Sequence, residues 1–228
     1  KKLKHKSYSP NIILNSVSSY NLGHTLHETK CIPAKKFKIN IPLTTIHSWL
    51  NEYKYICTFA RLRKEAAKQY NPKNIVFSQT LSHIQPYTFK YHKAKLDILI
   101  KENPKFAPLK NYIEKINSNS FPHHIFTYNK EENQNDQRAS QLRFSHNKIK
   151  IISKTNQSNE LAKLALNLAK NNNERHQAIQ NFFLINDSTP IATEVPIYRR
   201  PRVRDPGGRP GLVRALAGRV PTVSYYEG

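Results

Sequence analysis

Residues 42–53 constrain the fold more than any other stretch, because their apolar residues recur with the period of an α-helix. Four of them fall at i, i+3, i+4 and i+7, positions that share one helix face: Ile46, Trp49, Leu50 and Tyr53. A start at Pro42 is predicted, with Thr44 or Thr45 as the cap, because a threonine hydroxyl can accept a hydrogen bond from an unpaired backbone N–H. We therefore expect a helix whose apolar face lies in a core.

The opposite face of this predicted helix is polar and carries hardly any acid. Its residues are Thr45, His47, Ser48, Asn51 and Lys54. Short hydrogen-bonding side chains with a cation suit the major groove of DNA, where base edges present donors and acceptors. The same residue types are also common on the solvated face of an ordinary amphipathic helix. The sequence leaves both interpretations open.

Upstream, residues 20–29 read Tyr-Asn-Leu-Gly-His-Thr-Leu-His-Glu-Thr and predict another helix, followed by a basic linker. Helix, connection and helix over residues 20–55 together resemble the helix-turn-helix units at the front of many transposases. In those units a Ser/Thr-Thr-Ile/Val-x-x-Trp recognition helix follows a Gly-x-Ser/Thr-x-x-x-Thr helix. Pro33 and the lysines of the linker depart from the family's tight turn. The resemblance implies DNA binding.

A third helix is predicted from Ile56 to Tyr70, where Asn71-Pro72 ends it. Its outer face is basic, with Arg61, Arg63, Lys64 and Lys68. Packed beside the helix at residues 42–53, it would contact the phosphate backbone. The expected DNA-binding residues are therefore Thr45, His47, Ser48, Asn51, Lys54, Arg61 and Arg63.

The formal charge of +22 and the pI near 10 indicate a polyanionic partner. Nucleic acid leads, since Lys and Arg that neutralise phosphates release counterions. An anionic membrane surface is the lesser option. No apolar run approaches the ~20 residues of a spanning helix. We therefore expect nucleic acid, and not a membrane, as the partner. The two cysteines exclude a disulfide scaffold. We expect an intracellular protein (cytoplasmic, nucleoid or organellar). Because the sequence contains no methionine, we also expect that its N-terminus is processed or missing.

The fold class predicted is mainly α, or α+β with minor strands. Four regions are expected: a basic disordered arm (1–19), the helix-turn-helix-like DNA-binding unit (20–70), a helical domain with short strands (71–198), and an Arg/Gly/Pro-rich basic tail (199–228) that is either native or fused. In the third region we predict strands at 74–81, 142–152 and 191–198, and helices at 88–102, 106–116, 158–169 and 174–183. In the helix at 88–102, either Lys95 or Leu96 faces inward.

Residues 160–198 resemble mobile-element proteins that continue into a nuclease of the PD-(D/E)XK superfamily. In such nucleases carboxylates hold Mg²⁺, and a lysine of a (Glu/Asp)-x-Lys strand orients the attacking water. Glu194 matches only the upstream acid, and Pro196 stands where a pair of Asp187 with Glu194 would need lysine. We therefore expect no complete catalytic centre and no cofactor. Mg²⁺ would enter only with a nuclease domain completed elsewhere, and an enzymatic activity, if present, would be that of a metal-dependent nuclease or transposase.

His24, His27 and Cys31 offer a zinc-ligand spacing, with Cys57 as the candidate fourth ligand, although zinc sites normally have tighter pairs of ligands. We interpret them as polar helix residues and expect no metal. The predicted function is the DNA-binding part of a transposase-like or nuclease-related mobile-element protein. The alternative is a basic ribosomal protein that binds rRNA.

Overall fold

Eight α-helices and four β-strands make up the part of the chain that the computed structural model describes, residues 7–83, 86–126, 156–199 and 216–224. The helices are α1 (Pro10–Asn21), α2 (Leu26–Phe37), α3 (Leu43–Tyr53), α4 (Arg63–Gln69), α5 (Lys93–Glu102), α6 (Ala107–Lys115), α7 (Gln157–Ala165) and α8 (Arg175–Asn186). The strands are β1 (Val76–Ser82), β2 (Pro86–His92), β3 (Pro190–Arg199) and β4 (Leu216–Ser224). A mainly α fold with a small sheet confirms the predicted class. The predicted strand at 142–152 lies outside the described residues.

The strands form one antiparallel sheet in the order β1-β2-β3-β4. β1 and β2 are a hairpin that pairs from Val76 opposite His92 to Ser82 opposite Pro86. The strands predicted at 74–81 and 191–198 are confirmed. The helix predicted at 88–102 is wrong over its first residues, because the aromatic-rich segment before His92 pairs with β1 and only α5 is helical. The predicted tail contributes β4, which pairs with β3.

α1 corrects the predicted disordered arm, which is wrong from Pro10 onward. The apolar side chains of Ile13, Leu14 and Val17 are buried, so this helix forms by packing despite the basic residues before it. Buried polar groups also join α1 to α8. The amide of Asn21 donates to the Asn186 side chain (2.9 Å), and Asn186 donates to Ser18 (2.9 Å).

The basic linker predicted after residue 29 is helical as far as Phe37, where α2 ends. The helix predicted over residues 20–29 is not continuous, because α1 ends at Asn21 and α2 begins at Leu26. Gly23 has a φ of +109°, a conformation that glycine adopts without strain, and it lies between α1 and α2. Thr25 and Glu28 then form a capping box: Glu28 N–H donates to the Thr25 hydroxyl (3.2 Å), and Thr25 N–H donates to the Glu28 carboxylate (2.7 Å). Pro33 is buried inside α2.

α3 confirms the helix predicted at residues 42–53. Ile46 and Trp49 are fully buried, and burial raises the pKa of the Tyr53 hydroxyl to about 12. The predicted threonine cap is wrong. No side chain caps α3, and the Pro42 carbonyl accepts from the N–H groups of Thr45 (3.1 Å) and Ile46.

The helix predicted at residues 56–70 is broken into a 3₁₀ turn (Thr58–Arg61) and the short α4. Helices predicted at 106–116, 158–169 and 174–183 are confirmed as α6, α7 and α8. Asn156 caps α7, because its side-chain oxygen accepts from Asn159 N–H (2.9 Å).

Two main cores hold these elements. One joins α1 and α3 to α7 and α8, with side chains that include Leu14, Trp49, Leu161 and Phe182. The other joins the sheet to α5 and α6, with side chains that include Phe89, Leu96, Ile113 and Ile191. No helix of the described ranges is both long enough and apolar enough to span a membrane.

Candidate nucleic-acid interface

The outer face of α3 is open to solvent. His47, Ser48, Asn51 and Lys54 are exposed, whereas Thr45 is half-buried. The amide nitrogen of Asn51 lies 3.2 Å from Nδ1 of His47, one helical turn away, so the histidine ring restrains the amide. Glu52 is the single acid in the sequence of α3. We call His47, Ser48, Asn51 and Lys54 the α3 surface.

Lysines cluster at the end of α2, directly before the connection to α3. Lys35, Lys36 and Lys38 are exposed, and Lys38 adopts the left-handed conformation (φ 55°) that ends the helix. Lys36 is steadied by a hydrogen bond to the side chain of Asn15 (3.0 Å). Residues 7–70 contain nine Lys and Arg against three Glu, so this part of the protein is positive overall.

The two arginines predicted to bind DNA differ in their surroundings. Arg61 is exposed in the 3₁₀ turn. Arg63 turns inward, where its Nε donates to the Tyr20 carbonyl (2.6 Å) and its Nη2 donates to the carbonyls of Gly23 (3.2 Å) and His24 (2.5 Å). Its guanidinium also stacks over the Tyr20 ring, 3.8 Å from the centroid. These bonds close the end of α1, so Arg63 has a structural role and is left out of the candidate interface.

In the stretch that resembles the nuclease-related proteins, Glu194 and Asp187 form hydrogen bonds with different side chains. Glu194 is buried within β3 and has a φ of +56°. Its Oε1 accepts from Nε2 of His176 (3.0 Å) and from the amide of Gln180 (2.8 Å). Asp187 accepts from the hydroxyl of Thr58 (3.2 Å). In the described ranges, no three His, Cys, Asp or Glu side chains lie close enough together to hold a metal ion.

His24, His27 and Cys31 accordingly do not form a metal-ligating group with one another. Nδ1 of His24 instead lies 3.7 Å from the Glu28 carboxylate.

Lys95 is an ionisable residue for which the sequence left open whether the side chain faces inward. It is 3% exposed, and its Nζ donates to the carbonyls of Leu184 (2.6 Å), Asp187 and Pro190 (3.0 Å). Burial lowers the pKa of this ammonium to about 7, although the Asp187 carboxylate opposes the shift. Lys95 borders a cleft of about 350 Å³, lined also by Thr58, Arg61, Leu62, Ile98, Leu99, Glu102, Ser188, Thr189 and Ile191.

Comparison with models of protein families, with curated proteins and with solved structures finds no match for this chain. The transposase-type and nuclease-type resemblances therefore stay predictions. The choice among candidate sites depends on geometry and charge. The α3 surface combines exposure with a buried apolar base, and exposed lysines precede it in the chain, whereas the side chains of Glu194 and Lys95 are bonded within the protein.

Proposed function

We propose that this chain binds nucleic acid through the α3 surface and the lysines that end α2, with duplex DNA as the leading partner. The observation that carries the proposal is the division of α3 into two faces. Ile46 and Trp49 are fully buried, while the α3 surface is open. A helix fixed by such anchors presents its outer side chains at defined positions, which sequence reading requires.

The chemistry of the α3 surface suits a duplex. The major groove is about 12 Å wide and admits an α-helix, and an asparagine amide can bond both N6 and N7 of adenine. Lys35, Lys38 and Lys54 would meet phosphates, whose contacts set register without reading sequence. On the transposase-type resemblance, the chain would be the DNA-binding part of a mobile-element protein.

Asn51→Ala and Lys54→Ala should separate base reading from phosphate contact. On a preferred duplex, found by selection from a random pool, we expect Asn51→Ala to cost about 1–3 kcal/mol, roughly 5- to 150-fold in Kd, and to relax sequence choice. Lys54→Ala should weaken all duplexes about equally, because a phosphate carries no base information. Both Kd values are measured by fluorescence anisotropy at one salt concentration.

Both side chains are exposed, so each variant should keep the circular dichroism spectrum and melting temperature of the parent. If the two variants lose affinity equally on every duplex, and RNA binds more tightly than DNA, the α3 surface is only a solvated face. The basic rRNA-binding function would then replace the proposal.

A further inference from the structure

Tyr55 is an exposed aromatic residue at the end of the proposed interface. It is 69% exposed, more than any other large hydrophobic residue in the described ranges. It follows Lys54 directly and lies in the turn after α3. Nζ of Lys54 is 5.1 Å from the centroid of the Tyr55 ring, so a cation already accompanies the aromatic face.

The backbone that carries Tyr55 is held firmly. The amide of Gln157 donates to the carbonyls of Tyr55 (3.1 Å) and Ile56 (3.4 Å). Cys57 N–H donates to the Tyr53 carbonyl (2.8 Å), and both of those side chains are buried. The chain on either side of Tyr55 is therefore anchored while the ring projects into solvent. The fold buries little of the ring, so the part of its apolar surface that the Lys54 ammonium does not cover is open to a ligand.

We propose that Tyr55 stacks on an unpaired nucleobase, so that the nucleic acid bound here includes a single-stranded end or segment beside the duplex. The inference rests on the proposed function. Every base has a π-face, and stacking on an exposed aromatic side chain is largely independent of sequence. Within a duplex both faces of a base are covered by its neighbours, whereas an overhanging base offers one. Lys54 would then neutralise a phosphate near the stacked base.

The test compares a blunt duplex with the same duplex carrying a short single-stranded overhang, using the full chain. The overhang duplex should bind about 5- to 150-fold more tightly, the range expected for one stacked base. Tyr55→Ala should remove this preference, and Tyr55→Phe should keep it because the ring remains. A 2-aminopurine placed in the overhang should lose fluorescence with the parent and with Tyr55→Phe, but not with Tyr55→Ala.

Leu166→Ala is the matched control, since Leu166 is also an exposed apolar residue (38%) but lies after α7. It should leave the preference unchanged. The inference is overturned if overhang and blunt duplexes bind equally, or if Tyr55→Ala retains the preference. The proposed function is nevertheless retained if Asn51→Ala relaxes sequence choice while Lys54→Ala weakens all duplexes about equally. Absence of binding to any nucleic acid would overturn both.

Discussion

Binding of this chain to duplex DNA is expected to weaken by about 10³–10⁵-fold when salt rises from about 50 to 200 mM, if about 6–10 phosphates are contacted. The reason is the formal charge of +22, because each Lys or Arg that neutralises a phosphate releases condensed counterions. Dissociation constants at four or more salt concentrations give the slope of log K against log salt. Each phosphate contact contributes about −0.9 to that slope.

Two variants make this measurement specific to the interface. Lys54→Ala should make the slope shallower by about one unit, since it removes one exposed cation of the α3 surface. Arg63→Ala removes the same formal charge, but its guanidinium is bonded to the backbone at the end of α1. It should lower the melting temperature and leave the slope nearly unchanged. An affinity that ignores salt would contradict the charge-based proposal.

The helix at residues 42–53 can be predicted because a single physical cause determines it. Its apolar residues repeat with the helical period, and the large apolar side chain of Trp49 gains most when that face is buried. The strand at 191–198 can be predicted on similar grounds. A run of apolar and β-branched residues there suits a strand covered by helices.

α2 cannot be recognised from composition, because its lysines and Pro33 are typical of a linker. The capping box of Thr25 and Glu28 is the available signal, and it marks the helix start whatever residues come after it. α1 is hard to predict because the basic residues at the chain start outweigh the apolar run that begins at Ile12. In both cases tertiary packing decides a segment whose local propensity is ambiguous.

The two arginines that the sequence predicts to bind DNA show how much of a binding site a sequence can define. Arg61 and Arg63 lie two residues apart, and both belong to a basic pattern. Only the position of the carbonyls at the end of α1, more than 30 residues earlier in the chain, turns Arg63 inward. Long-range contacts of this kind leave no periodic trace. Tyr55 escapes prediction for a related reason, since an aromatic residue beside an apolar helix face is normally assigned to the core.

Lys95 lies at the helix position where the sequence leaves two choices for the inward-facing residue. Its neighbour Leu96 is buried as well, so both side chains face inward. The structure makes a buried lysine possible by placing three carbonyls around Nζ, one in α8, one directly after it and one at the start of β3. Nζ also lies 4.9 Å from the centre of the Phe59 ring. The lysine thus bonds carbonyls at the end of α8, where the helix has few partners of its own.

Lys95→Met is expected to destabilise the protein strongly, and by an amount that depends on pH. Methionine retains the apolar stem but donates to none of the carbonyls, each of which then costs about 1–3 kcal/mol. The ammonium can donate to all three carbonyls, whereas the neutral amine present above pH 7 has two N–H groups. In the parent, the folded-state pKa of about 7 lies below the ordinary value of 10.5. Between these values the unfolded chain holds a proton that the folded protein has released, so the parent gains stability as pH rises. Below pH 7 both states are protonated, and the parent carries the full cost of the buried ammonium.

The stability deficit of Lys95→Met should therefore be smallest at and below about pH 7 and should grow toward pH 10, by at most about 1.4 kcal/mol per pH unit. Denaturant unfolding of both proteins at several pH values measures it. Lys101→Met is the control, because Lys101 is an exposed lysine of the same helix, and it should match the parent at every pH. Titration of groups that Lys95 does not perturb, such as the buried Cys57 thiol with its pKa raised to about 12, is common to all three proteins and cancels in the differences. The pKa of His92, which burial and then Lys95 hold well below its ordinary value, lies outside the pH 7–10 range of the measurement. If the deficit is absent, or equal at every pH, the ammonium is not buried against these three carbonyls.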